Sequence, residues 1–228
     1  MATTKFQRWG VLTILLVTVV GTLGSFAVMI LSMQSQSKQQ ADYQTALAKY
    51  QTDEADYQKK LQAQNDQLSG QYYATFSQYE SQVAKFDMAS VTSVSTQDLV
   101  VGDGTQVTGT TPLAAYYIGW DANGHIFDQS VDTAASKLKA PLSIADGLDN
   151  ASLITGWKEG MTGMHIGGVR VITIPSDKAY GAAGSKDANG QETIAPNMPI
   201  KFVVMAIPAP AAIPQPDTSA LMQYTQGQ

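Results

Sequence analysis

The hydrophobic period of this chain changes near residue 91, and that switch limits what it can fold into. Residues 34–90 contain no proline, and a large apolar or tyrosyl side chain returns at intervals of three, four or seven: Tyr43, Leu47, Tyr50, Tyr57, Leu61, Leu68, then Tyr72, Phe76, Tyr79, Val83 and Phe86. Such spacing lays one apolar stripe along a long helix. The stripe slips phase between Leu68 and Phe76, with a weak point at Gly70. From Thr92 the pattern becomes short alternating strands separated by turn signals, among them Gly102-Asp103-Gly104, Asn123-Gly124, Pro175-Ser176-Asp177 and Asn189-Gly190. Strands are expected at 106–108 with its flanks, 113–120, 125–128, 168–174 and 200–206, with one short helix at 151–160. The whole predicts an α+β domain over 91–209, an antiparallel sheet wrapping a short helix, preceded by a helical stalk over 32–90.

Residues 11–31 carry no charge over 21 positions, enough to cross a hydrocarbon core of about 30 Å as a helix. Lys5 and Arg8 precede this run. The positive-inside tendency therefore predicts a single-pass membrane anchor, with residues 1–10 cytoplasmic and everything after Ser32 extracytoplasmic. The competing reading is a cleaved signal peptide with its apolar centre at 11–20 and a cut near Ser25-Phe26-Ala27. Against it, Val28-Met29-Ile30-Leu31 continue the apolar run past that cut. The stalk's stripe needs a cover: a second copy in a coiled-coil homodimer, a hairpin folded at Gly70, or a groove on a partner. Glu54 and Gln64 interrupt the seam, so a helical spacer with weak or conditional self-association is expected. Residues 210–228, with Pro210, Pro214 and Pro216 among alanines and polar groups, read as a disordered or polyproline-like tail.

Composition removes several function classes. A net charge of -5 with no long basic run leaves no footprint for nucleic acid. Zero cysteines exclude disulfides, thiolate catalysis and Cys-ligated metal. Two Asp-Ala-Asn-Gly copies, at Asp121 and Asp187, invite a calcium-loop reading, but the sixth position is Ile126 in one and Glu192 in the other, where the loop needs Gly. They are better read as turns. His125 and His165 have no second ligand at helical spacing, so neither a metal nor a cofactor is expected.

Chemistry enters through an ordered series of short matches. These are Tyr116-Tyr117-Ile118-Gly119, Asn123-Gly124, Phe127-Asp128-Gln129-Ser130, Leu153-Ile154-Thr155-Gly156-Trp157-Lys158-Glu159-Gly160-Met161, Ile174-Pro175, Ala179-Tyr180-Gly181, Ile194-Ala195-Pro196 and Phe202-Val203-Val204. Over residues 98–207 the series resembles the FKBP family of peptidyl-prolyl cis-trans isomerases. The resemblance implies an FKBP-like sheet and a proline pocket with Trp157 as floor. Tyr117, Phe127, Leu153, Ile154 and Phe202 are its walls, and Ile194 lies on a covering loop. Leu142 and Ile144 replace aromatics that many members carry on one wall. It implies a working set of Tyr180 as hydroxyl donor to the substrate carbonyl, the Ile154 N–H, Trp157, and Asp128 at the rim paired with Tyr117.

The function so implied is isomerisation of X-Pro bonds in proline-containing, unfolded or exported polypeptides outside the membrane. The alternative is a tethered binding or chaperone module without turnover. Neither a nucleophile nor a metal is needed. The barrier of about 20 kcal/mol is lost amide resonance, and a dry apolar pocket with a hydrogen-bond donor favours the twisted amide.

Overall fold

The computed structural model describes the backbone of residues 5–225, with side chains described from residue 32 to 222 and at Ser25, Val28 and Met29. The elements in chain order are α1 (Lys5–Phe76), β1 (Ser95–Val100), β2 (Leu113–Asp121), β3 (Ile126–Gln129), β4 (Val131–Asp132), β5 (Lys137–Leu138), β6 (Leu142–Ile144), α2 (Gly147–Asn150), α3 (Thr155–Met161), β7 (Val169–Ile174), β8 (Ser185–Lys186), β9 (Glu192–Ile194), β10 (Ile200–Pro208) and α4 (Ser219–Thr225). They divide between two compact units, one of Lys59–Ile213 and one of Met1–Gln58 with Pro214–Gln228.

In the unit Lys59–Ile213, six of the described strands form one antiparallel sheet in the order β1-β7-β10-β2-β3, with β6 also paired to β2. Its central strands are apolar at almost every position, and alternation sends those side chains to two different cores. On β10, Phe202, Val204 and Ala206 enter one core, and Val203, Met205 and Ile207 the other. On β2, Leu113 and Ala115 face the first, while Ala114, Tyr116, Ile118 and Trp120 face the second. A strand with period two that is apolar throughout needs a cover on each side.

The first cover is α3. Seven residues with two glycines make a poor helix by propensity, so packing holds it. Gly156 and Gly160 lie directly over β7, where a Cβ on either would stand 2.2 Å from Ile174 Cγ2 or 2.3 Å from Ile172 Cγ2. Only hydrogen at those positions lets helix and strand approach so closely.

The second cover is the end of α1 together with the segment that follows it as far as Phe86. Phe76 is fully buried, and Leu68, Tyr72, Tyr73, Tyr79, Val83 and Phe86 pack against the same core. The rings of Tyr72 and Phe76 lie 6.0 and 6.1 Å from that of Tyr116. Polar ties fix the register: the Leu138 N–H donates to Ser69 Oγ at 2.8 Å, and Trp120 Nε1 donates to Ala84 O at 3.0 Å.

Several expectations are thereby corrected. From Leu68 onward the stripe is covered by the domain's own sheet, not by a coiled-coil partner or a hairpin, and α1 runs unbroken through Gly70. The globular unit accordingly starts well before residue 91. At 106–108 there is no strand, only a single bridge between Gln106 and His165. The helix expected at 151–160 begins at Thr155 and is preceded by the separate α2. The two Asp-Ala-Asn-Gly copies are turns: Asp121 Oδ1 accepts from the N–H groups of Asn123 and His125, and Asp187 Oδ1 from those of Asn189 and Gln191.

The membrane placement is corrected too. Among the described residues no helix is long and apolar enough to cross a membrane, so the single-pass arrangement with an extracytoplasmic domain does not stand. Most side chains of residues 11–31 lie outside the described residues. The backbone there belongs to α1, which does not end at an apolar boundary but continues into the Gln-, Ser- and Lys-bearing stretch after residue 33.

In the unit of Met1–Gln58 and Pro214–Gln228, Tyr43, Leu47, Tyr50 and Tyr57 are half-buried. Residues 219–225 are not disordered, as expected, but form α4. Its start is capped by Asp217, whose Oδ1 accepts from the Ser219 N–H at 2.8 Å and whose Oδ2 accepts from the Ser219 hydroxyl at 2.9 Å. Those bonds hold the Asp217 carboxyl below the usual carboxylate range.

Candidate active site

Between α3 and the sheet lies a cavity of about 500 Å³. Its floor is Trp157, buried on α3. Three rings from the sheet line the cavity with it: Tyr117 on β2, Phe127 on β3 and Phe202 on β10. They lock one another edge to face, with Trp157 5.2 Å from Phe202 at 84°, Tyr117 5.5 Å from Trp157 at 85°, and Phe127 5.5 Å from Phe202 at 85°. Those tilts place the positive edge of one ring on the negative face of the next, and each such pair adds roughly 0.5–1.5 kcal/mol beyond burial. The floor and walls are therefore a rigid apolar surface. Leu142, Leu153, Ile154 and Ile194 complete the apolar lining.

Polar groups sit at the edge. Tyr117 donates its hydroxyl to Asp128 Oδ2 at 2.5 Å, and the Gln129 N–H donates to Asp128 Oδ1 at 2.8 Å. Burial, then the bond to Asp128, raises Tyr117 well above the usual phenol value, so it is a protonated donor at neutral pH. Tyr180 also lines the cavity, and its hydroxyl has no hydrogen-bond partner among the described residues. Burial first, and the charge of Asp128 second, raise it as well. The backbone of Ile154 begins α3 by accepting from the N–H groups of Trp157 and Lys158, while its own N–H meets no acceptor among the described residues. Tyr180 and Ile154 thus bring to the cavity a hydroxyl and an N–H without partners among the described residues.

Of the side chains singled out from sequence, Tyr117, Phe127, Asp128, Leu142, Leu153, Ile154, Trp157, Tyr180, Ile194 and Phe202 meet around this cavity. Ile144 does not, which corrects its assignment as a wall. It follows Leu142 by two on β6, so both point the same way, but β6 runs inward along β2 and buries Ile144 opposite Leu113 in the core. Ser152, Ser185 and Thr193 also line the cavity and were not foreseen. They lie in irregular or two- and three-residue elements, where no hydrophobic period marks an inward position.

A family model described as FKBP-type peptidyl-prolyl cis-trans isomerase matches residues 103–207. The FK506-binding protein of Neisseria meningitidis serogroup A is 39% identical over 89 residues, which are 39% of this chain and 75% of that one. The probable FK506-binding protein of Corynebacterium glutamicum is 37% identical over 89 residues, 39% of this chain and 68% of that one. The crystal structure of AtFKBP13 is similar at 28% identity, covering 51% of this chain and 93% of that chain, with a TM-score of 0.43. The two bacterial relatives, each above 30% identity and matched over two thirds or more of its own length, carry the assignment: this chain belongs to the family of FKBP-type peptidyl-prolyl cis-trans isomerases.

Proposed function

We propose that the cavity over Trp157 accelerates X-Pro isomerisation in proline-containing polypeptides by favouring the twisted amide. The planar amide is charge-separated and best solvated by water; among edge-locked rings it loses that solvation, whereas the twisted form, with less charge separation, loses less. Trp157, Phe202 and Tyr117 supply the dry surface on which the proline ring rests. Tyr180 donates to the carbonyl that leaves the amide plane, and the Ile154 N–H binds a neighbouring substrate carbonyl. Asp128 acts through Tyr117, holding its ring edge-on to the floor. No covalent step is involved, so no acid–base pair is needed.

The observation that carries this reading is the unpartnered Tyr180 hydroxyl at an aromatic cavity. A half-buried hydroxyl that no protein group engages is a donor that a bound carbonyl can take. The test is a cis–trans assay of the full chain with a Leu-Pro or Phe-Pro peptide. Acceleration is expected, and Tyr180→Phe lowers kcat/KM about tenfold, the equivalent of one hydrogen bond of about 1.4 kcal/mol in the transition state. A wild-type rate equal to the uncatalysed one overturns the reading.

A further inference from the structure

We propose that Arg170 is a positioning residue for isomerisation, fixing the distance between the Trp157 floor and the ring walls. The inference rests on the isomerase reading above. The floor and the walls belong to different elements: Trp157 rides on α3, whereas Tyr117, Phe127 and Phe202 are fixed to the sheet. The depth of the cavity is therefore a helix-to-sheet separation. What sets that separation is the attachment of α3 to β7.

That attachment has two parts. One is the glycine seat of Gly156 and Gly160 on Ile174 and Ile172, which fixes how near the helix comes. The other is Arg170. It lies on β7 between Val169 and Val171, which pack on the α1 side of the sheet, so its side chain is on the α3 side, and it is only 8% exposed. Its Nη1 donates to the carbonyls of Gly160 at 2.9 Å and Thr162 at 3.3 Å, the oxygens at the C-terminal end of α3. Its Nε and Nη2 fork onto Asp98 of β1 at 2.6 and 3.1 Å.

A buried cation at a helix C-terminus both satisfies end carbonyls and opposes the negative end of the helix dipole. The start of α3 has no comparable tie, since Ile154 offers no side-chain cap. Two exposed ties also reach α3, Lys178 Nζ to Glu159 Oε1 at 2.6 Å and Lys158 Nζ to Asp149 O at 3.2 Å. The guanidinium is the buried polar clamp on the helix that carries Trp157, and Asp98 holds it in line. A planar fork of five donors reaches both carbonyls and the carboxylate together; an ammonium does not.

The experiment compares wild type, Arg170→Lys, Arg170→Met and Val203→Ala in the full chain. Val203 is fully buried on the opposite face of the sheet and serves as a stability control. Melting by circular dichroism and kcat/KM for a Leu-Pro peptide are measured at a temperature where each variant is folded. Arg170→Met is expected to lose about tenfold in kcat/KM and Arg170→Lys about threefold, because a floor displaced by a fraction of an ångström misaligns the twisted amide. Val203→Ala is expected to melt lower yet keep the wild-type kcat/KM. Should Arg170→Met fail to fold, Arg170→Lys alone decides. Folded Arg170 variants with wild-type kcat/KM overturn the proposal, as does an equal loss in Val203→Ala at matched melting temperature. A wild type without acceleration overturns the isomerase reading itself, and the proposal with it.

Discussion

The Tyr117 hydroxyl reaches across the β2–β3 pair to Asp128 Oδ2 at 2.5 Å, so a half-buried ring of the cavity is oriented by an exposed carboxylate. The same ring stands edge-on to Trp157 and Phe202. Losing the bond frees the ring's orientation more than it removes apolar area. Tyr117→Phe and Asp128→Asn are therefore each expected to cost about 1 kcal/mol of stability, at the low end for a charge-assisted bond because Asp128 is exposed. The double variant should cost little more than either single one. Urea titrations of the four proteins measure this, and additive losses would show that the bond does not couple the two residues.

Three phenols in the unit Lys59–Ile213 resist ionisation. Burial pushes Tyr116 up to about 12 and raises Tyr117 and Tyr180, with Asp128 adding to the last two. A phenol that ionises later in the folded state than in the unfolded one gives stability that is fully present below the unfolded value. That stability is lost as pH rises through and beyond it. Stability is thus expected to fall above about pH 10, where the unfolded chain releases protons that the folded chain retains. Urea midpoints from pH 8 upward, set beside tyrosine absorbance, check this. A midpoint that stays level well beyond pH 10 would contradict the burial of these hydroxyls.

Gly156 and Gly160 face the two β-branched side chains Ile174 and Ile172 at distances that no Cβ tolerates. Alanine at either position has the better helix propensity, by about 0.8–1.0 kcal/mol. Packing opposes it: α3 must lift or isoleucine must leave its rotamer, at about 1–3 kcal/mol. The net expectation is destabilisation of each variant, together with a lower kcat/KM because Trp157 lifts with the helix. A stabilised Gly156→Ala would mean that α3 does not sit on β7 as described.

Much of this architecture was legible in particular residues. The runs that became β2, β7 and β10 are apolar enough to name as strands, and the Trp157 stretch with Tyr117, Phe127 and Phe202 named the cavity. The edge strand β1, Ser-Thr-Gln-Asp-Leu-Val, shows no alternation because five of its six residues are exposed. Nothing in the sequence singles out Arg170, since its partner Asp98 is 72 residues away and its other acceptors are backbone carbonyls. The stripe on α1 was visible but not its cover, because a hydrophobic period gives the direction of a face and not what lies on it. An uncharged run near the N-terminus suggested a membrane span for the same reason. The length and polarity of such a run do not tell where the helix that contains it ends.

The boundary at residue 91, natural from the change of period, cuts through a core. Phe76 is fully buried against the sheet, with Tyr72, Tyr79 and Val83 beside it, and Ala84 accepts the Trp120 indole N–H. A fragment of residues 91–209 keeps the cavity but uncovers Tyr116, Ile118, Trp120, Val203 and Met205. A fragment of residues 59–213 retains every one of these contacts. The longer fragment is expected to melt cooperatively, while the shorter one melts far lower, aggregates or binds a hydrophobic dye. Phe76→Ala in the longer fragment should cost about 3–5 kcal/mol, as for a buried aromatic truncated to leave a cavity. Calorimetry and urea titration of the three proteins decide the matter. Equal stability of the two fragments would reduce the end of α1 to an appendage, whereas the expected gap makes its last turns part of the globular fold, on the opposite face of the sheet from the cavity over Trp157.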